Sequence, residues 1–242
     1  MEILPKKVLS TKILDDDLVR RASDRGIQLT CIPFIAIRYI DDLPLRTAMQ
    51  QWQTEKRTVI FTSSNAVQAV NALLKGHKPD WDIYCIGPAT AAVIAACFGK
   101  DKIKATAPYA AALADIITAI PVADPLFFCG NKRMDTLPDR LRESGIPFTE
   151  CRVYHTDSIS QTVPDTYDGV LFFSPSAVES FFKSNNTRPG TVVFSIGSTT
   201  SRCLEKFTAV PVIESESTSQ EAMIETVIRY YTHSNKQTYL NQ

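Results

Sequence analysis

A chain of 242 residues has room for one large domain or two small ones. Its 44% hydrophobic and 21% charged content fits a globular protein, and 26 basic against 26 acidic side chains leave no bulk positive charge for a nucleic-acid surface. No apolar run reaches the roughly 18 residues that span a bilayer, and the start Met1-Glu2-Ile3-Leu4-Pro5-Lys6-Lys7 lacks a signal peptide's order, so the cytoplasm is the expected compartment.

A strand at 7–11 is followed by a helix at 16–25 and a long strand at 27–39. A helix at 45–53, a strand at 58–62 and a helix at 65–74 come next. Then follow a strand at 83–86, a helix at 89–98, a weaker strand at 102–105 and a helix at 110–120. A strand at 126–129, a helix at 137–144 and a second long strand at 147–155 lead into the last third. There the order is strand 169–173, helix 176–182, strand 192–196, helix 199–206, weaker strand 210–213 and helix 220–231. Residues 233–242 are polar and read as a frayed tail. Solid apolar runs such as 170–173 mark strands buried on both faces. Strand alternating with helix then predicts an α/β protein of parallel sheets covered by helices.

The cysteines, Cys31, Cys85, Cys97, Cys129, Cys151 and Cys203, are widely spaced, form no C-x-x-C pair and lie mostly in apolar runs. That pattern reads as core cysteine in a reducing compartment. His77, His155 and His233 form no ligand pattern with them, so no metal site is expected. Asp15-Asp16-Asp17 opens a predicted helix, where acidic charge is favourable without any metal. The chain lacks G-x-G-x-x-G, the P-loop pattern and the G-x-S-x-G elbow.

An internal repeat runs through the chain. Phe61-Thr62-Ser63-Ser64-Asn65-Ala66-Val67 echoes Phe172-Phe173-Ser174-Pro175-Ser176-Ala177-Val178, with Ala66 and Ala177 lying 111 positions apart. Ile86-Gly87-Pro88-Ala89-Thr90 echoes Ile196-Gly197-Ser198-Thr199-Thr200, with Gly87 and Gly197 lying 110 apart. A helix ending in Gly26-Ile27 resembles one ending in Gly145-Ile146. Two partitions fit this order: tandem halves, or a middle segment inserted into a domain made from both ends. The two long strands favour insertion, because each is long enough to leave one domain and enter the other.

The repeated turns share a chemistry. Each joins a strand to a helix, and a helix start presents free N–H groups and a partial positive charge to anions. The candidates are Ser63-Ser64-Asn65, Gly87 to Thr90, Gly130-Asn131-Lys132-Arg133, Ser174-Pro175-Ser176 and Gly197 to Thr200. Capping alone explains any one of them. As a set that includes a basic turn, they read as a surface for a polyanion, at the carboxyl ends of parallel strands where ligands bind.

These motifs, taken in order, resemble the uroporphyrinogen-III synthase family. The stretch from Leu126-Phe127-Phe128-Cys129-Gly130-Asn131-Lys132-Arg133 through Leu137-Pro138, Leu141 and Gly145-Ile146 to Val153-Tyr154-His155-Thr156 carries the resemblance furthest. The turns at 59–67, 86–90, 173–178 and 196–200 resemble the family's others, and the likeness extends to about Tyr231. Three departures stand out: Ser10-Thr11-Lys12 where the family often has Val-Thr-Arg, Ser198 where proline is common, and Thr218-Ser219 in place of a Pro-Thr pair.

The resemblance implies two flavodoxin-like α/β domains with parallel sheets, joined by a two-stranded β linker, with the active site in the interdomain cleft. It favours the insertion: residues 1–34 with 157–232 as one domain, 38–153 as the other, and linker strands near 35–37 and 154–156. It implies cyclisation of the linear tetrapyrrole hydroxymethylbilane to uroporphyrinogen III, with loss of water, inversion of ring D and no cofactor. The polycarboxylate substrate is expected to meet Thr11, Lys12, Ser63, Ser64, Asn65, Thr90, Gly130, Asn131, Lys132, Arg133, Ser174, Ser176, Thr199 and Thr200. Tyr154 is the expected catalytic residue, giving a hydrogen bond to the departing hydroxyl; anchoring the linker by packing is its competing role. A monomer is expected, with no nucleic-acid or membrane partner. The rival reading is a two-domain polyanion-binding protein of the periplasmic type without catalysis. A nucleotide-sugar glycosyltransferase is disfavoured by the short chain.

Overall fold

The computed structural model describes residues 4–164 and 166–239. In chain order its elements are β1 (Lys6–Ser10), α1 (Asp16–Ser23), β2 (Ile27–Cys31), β3 (Ile35–Tyr39), α2 (Leu43–Trp52), β4 (Arg57–Phe61) and α3 (Ser64–Leu74). Then come β5 (Trp81–Ile86), α4 (Gly87–Phe98), β6 (Ile103–Ala107), α5 (Ala110–Thr118), β7 (Leu126–Gly130), α6 (Thr136–Glu143) and β8 (Thr149–Ser158). The chain continues with β9 (Gly169–Phe172), α7 (Pro175–Phe181), β10 (Val192–Ser195), α8 (Ser198–Leu204), β11 (Val212–Glu214) and α9 (Gln220–Tyr239).

Two expectations are corrected. The strand read at 27–39 is two strands, β2 and β3, because Pro33 has no N–H to give a ladder and the chain breaks there. Residues 233–239, read as a frayed tail, continue α9, since no Gly or Pro interrupts the helix before Tyr239. Residues 240–242 lie outside the described residues.

The chain divides into two compact units: a terminal unit, Met1–Ala36 with Asp157–Gln242, and a central unit, Ile37–Thr156. The chain passes from one to the other within β3 and within β8. The terminal sheet has the order β2-β1-β9-β10-β11, with neighbouring strands parallel throughout. The central sheet runs β8-β7-β4-β5-β6, also parallel, with β3 added beside β8. These are one arrangement cut at different points of the chain. In the terminal unit the strand–helix–Gly-Ile pair β1 and β2 comes first, and in the central unit its counterpart β7 and β8 comes last. Each sheet takes one copy of every repeated motif.

Alternate residues of each strand enter opposite cores, as a sheet covered on both faces requires. In the central unit Val59, Phe61, Leu126 and Phe128 face α2, α3 and α4, while Ile60, Phe127 and Cys129 face α5 and α6. In the terminal unit Val8, Leu171 and Phe194 face α1 and α9, while Leu9, Val170, Phe172 and Val193 face α7 and α8. Among the described residues no helix is long and apolar enough to cross a membrane.

Burial leaves the core thiols reluctant to ionise. Desolvation pushes Cys129 up to about 12, helped by the nearby Glu150 carboxylate, and Cys151 up to about 11, from an ordinary 9.0. A thiol whose pKa is raised on folding keeps a proton that the unfolded chain gives up, so its contribution is full below the unfolded pKa and lost as pH climbs through the folded one. Stability should therefore hold to about pH 9 and fall steadily toward pH 11. Urea midpoints measured across this range check it, and a Cys129→Ala, Cys151→Ala variant should show a shallower fall.

Candidate functional site

In both sheets the connections change direction at one place. From β1 the chain moves to β2 on one side, while β9, on the other side of β1, leads away to β10 and β11. In the central sheet the same reversal falls between β7 and β4. Neighbouring loops part at such a switch point, and the carboxyl ends of the two strands open a crevice for a ligand.

At the central switch point three elements converge. Ser63, just after β4, caps α3: its hydroxyl accepts from Asn65 N–H at 3.2 Å. Gly130 ends β7, and Tyr154 arrives from β8. The register of β7 with β8 shifts here: Cys129 faces Arg152, but Gly130 faces Tyr154, so Val153 is a bulge. Strict alternation would send Val153 and Tyr154 to opposite faces. The bulge leaves both in the core beneath α3. The Tyr154 ring then crosses the end of β7 over Gly130, where a Cβ would lie 2.4 Å from the ring carbon Cζ. Its hydroxyl donates to Ser63 Oγ at 3.2 Å.

Burial raises the Tyr154 pKa above 10.0, and the Ser63 hydrogen bond opposes that only in part. The phenol therefore holds its proton and acts as a hydrogen-bond donor. Ser63 already accepts from Tyr154 and from Asn65 N–H. A hydroxyl accepts two such bonds and donates one, so its own proton is the remaining donor of the pair.

The 131–135 turn grips β8 on both sides of the bulge. Asn131 N–H donates to Tyr154 O at 3.3 Å, and Asn131 Oδ1 accepts from Thr156 N–H at 2.7 Å. Arg133 donates to Glu150 Oε2 at 2.7 Å and also to Asp135. This turn is not a helix start, which corrects the reading of Gly130 to Arg133 as one. Helix α6 begins only at Thr136, because the residues before it are spent on tying the turn to β8. Lys132 is exposed.

The other expected residues divide by burial. Ser64 and Asn65 open α3 and are half-buried. Thr90 is the fourth residue of α4 and Thr200 the third of α8; both are buried and lie inside their helices rather than at open caps. Thr199 is exposed on α8. In the terminal unit Ser174 caps α7 by accepting from Ala177 N–H at 3.2 Å, and Ser176 lies in that helix's first turn. Thr11, 1% exposed, donates its hydroxyl to Leu171 O at 2.7 Å, so its side chain stitches β1 to β9 rather than facing a ligand. Lys12 is exposed, its ammonium 5.8 Å from the centre of the Phe173 ring. Two cavities, of about 240 Å³ by Asn185 and about 300 Å³ between α2 and α3, lie away from both switch points.

A family model described as uroporphyrinogen-III synthase HemD matches residues 16–225. The chain belongs to the uroporphyrinogen-III synthase family. The uroporphyrinogen-III synthase of Saccharomyces cerevisiae is 26% identical to it over 210 residues, covering 72% of this chain and 76% of the yeast protein. Uroporphyrinogen-III synthetase from Helicobacter pylori superimposes with a TM-score of 0.61 at 16% identity, over 93% of this chain and 99% of that one. A mutant uroporphyrinogen III synthase from the extremely thermophilic bacterium Thermus thermophilus gives 0.67 at 14% identity, over 96% and 99%. These two structures share the fold of this family member.

Of the residues singled out in the sequence of this synthase-family chain, the structure brings Tyr154, Ser63 and Gly130 together; Glu150, which pairs with Arg133 beside them, was not among those residues. Nothing in Thr149-Glu150-Cys151 sets that residue apart from other strand carboxylates. Gly130 carried a readable signal, since a glycine at the end of a solid apolar strand marks a close approach. Gly130→Ala should force the Tyr154 ring off Ser63 and cost about 1–3 kcal/mol of stability. Urea unfolding checks the cost. A variant as stable as the parent would show that the ring has room to move.

Proposed function

We propose that this chain converts hydroxymethylbilane to uroporphyrinogen III, closing the linear tetrapyrrole with loss of water and inversion of ring D. The observation that carries this reading is the family match over residues 16–225, with Tyr154 held over Gly130 against Ser63 at a sheet switch point. In this step the terminal hydroxyl leaves with a proton as water. The electron-poor carbon left behind bonds to the substituted carbon of the last ring, and the older bond from that carbon to the methylene of the third ring breaks. This methylene bonds instead to the last ring's free carbon, whose proton is released in place of the one that left with the hydroxyl. Bond made and water lost balance within the substrate, so the chain's work is to shape the substrate and assist the departure.

Shape comes from the turns. The positive end of α3 at Ser64 and the exposed Lys12 and Lys132 suit the substrate's acetate and propionate groups, each helix-start contact contributing about 0.3–1 kcal/mol. Holding the two reacting ends together supplies much of the barrier reduction. Departure of the hydroxyl is assisted by the Tyr154–Ser63 pair. Because the phenol's pKa is raised, the pair gives a hydrogen bond rather than a whole proton. Thr11 and Arg133 hold their own strands, and we assign them no substrate contact. We infer too that the enzyme works as a monomer in the cytoplasm, apart from nucleic acid and membranes. Six unpaired cysteines suit a reducing compartment, and the Tyr154 cluster is complete within one chain.

The test supplies purified protein with hydroxymethylbilane and resolves the porphyrin isomers after oxidation. Isomer III above the spontaneous background is expected, and isomer I alone would leave a polyanion-binding protein without catalysis. Tyr154→Phe should lower kcat by about 10²-fold while leaving the fold intact, the scale of a lost transition-state hydrogen bond. An unchanged single-turnover rate in the folded variant would strip Tyr154 of its chemical role.

A further inference from the structure

Arg133 is the natural candidate to hold a substrate carboxylate, yet its guanidinium is turned inward. The side chain is 17% exposed and binds Glu150, itself 22% exposed, through Nη2. Nη1 donates to Asp135, and Nε is buried with no partner among the described residues. One cation between two carboxylates leaves the cluster net negative, which does not attract an anion.

Stability alone is a poor account of this cluster. Desolvating two charges offsets much of their attraction, and a well-packed apolar pair often stabilises as well or better. The buried Nε adds a further cost. The pair is specific in what it ties together. Glu150 lies on β8 four residues before Tyr154, and Arg133 lies on the turn whose Asn131 holds β8 at Tyr154 and Thr156. The turn therefore grips β8 at 150 and again at 154–156, across the bulge at Val153. A bulge interrupts the ladder that would otherwise fix the strand, so its geometry depends on such outside contacts.

We propose that the Arg133–Glu150 ion pair is a positioning device: it sets the bulged stretch of β8 so that Tyr154 stays over Gly130 with its hydroxyl on Ser63. Arg133 and Glu150 are positioning residues that act through Tyr154. This inference rests on the proposed function, since its readout is the rate of isomer III formation.

The experiment measures kcat and KM for isomer III with Glu150→Gln, Arg133→Met and the double variant, on protein shown to be folded. Each single change should lower kcat about tenfold with KM within about twofold, and the double variant should be no slower than the slower single. In a Tyr154→Phe background Glu150→Gln should have no further effect. If Arg133→Met does not fold, Arg133→Lys, which keeps the charge but loses the fork, should still lower kcat with KM unchanged. A raised KM in Arg133→Met with a lowered KM in Glu150→Gln would overturn the proposal, because freeing the guanidinium would then improve substrate binding. Unchanged kcat in the folded variants, or effects that add in the double, would overturn it as well. A parent chain that yields only isomer I refutes the proposed function itself and is seen before any variant is compared.

Discussion

The site depends on a missing side chain. Tyr154 reaches Ser63 only by laying its ring across the end of β7, and the space it uses is where the Cβ of residue 130 would stand. Glycine at that position lets a strand on one side of β7 deliver a hydroxyl to a helix cap on the other side. Two further devices serve that crossing. The bulge at Val153 turns the tyrosine toward the α3 face, and the 131–135 turn fastens the strand on either side of it. The hydroxyl is thus buried, proton-bearing and fixed.

The two units use one sheet plan for different ends. Both place a serine cap just beyond the strand on one side of the switch point, Ser63 after β4 and Ser174 after β9. In the central unit the other side supplies a glycine and lets a tyrosine through. In the terminal unit it supplies Thr11, whose buried hydroxyl closes onto the β9 backbone. The repeat keeps the serine caps in both copies, while the tyrosine crossing belongs to the central unit. A cut at a different point of the chain produces the same strand order in each, which is why the motif repeat runs at 111 and 110 positions although the strand–helix–Gly-Ile pair leads in one unit and trails in the other.

Much of this was legible in the residues, for physical reasons. Apolar runs such as Leu126 to Cys129 bury both faces of a strand, and they pointed to parallel sheets. The repeated Ser and Gly turns marked the carboxyl ends, and Gly130 stood among them as part of a ligand turn rather than as the point where the Tyr154 ring crosses. What stayed hidden depends on contacts between distant residues. The bulge at Val153 is a matter of register with β7, which no local pattern encodes. The inward turn of Arg133 depends on Glu150, 17 positions away, so a basic residue in a ligand-facing turn looked available when it was already paired. Thr90 and Thr200 looked like helix caps because their motif begins with glycine. The helices start at or just after that glycine, and this carries both threonines past the cap into the buried side of the first turn.

The most direct test of this account maps where the tetrapyrrole sits. Uroporphyrinogen III titrated, under reducing conditions, into isotope-labelled protein should shift the backbone amides of Ser64, Asn65, Gly130 and Asn131 most strongly. Shifts confined to the amino ends of the strands, or to the cavity between α2 and α3, with the Ser63 and Gly130 turns unmoved, would contradict it.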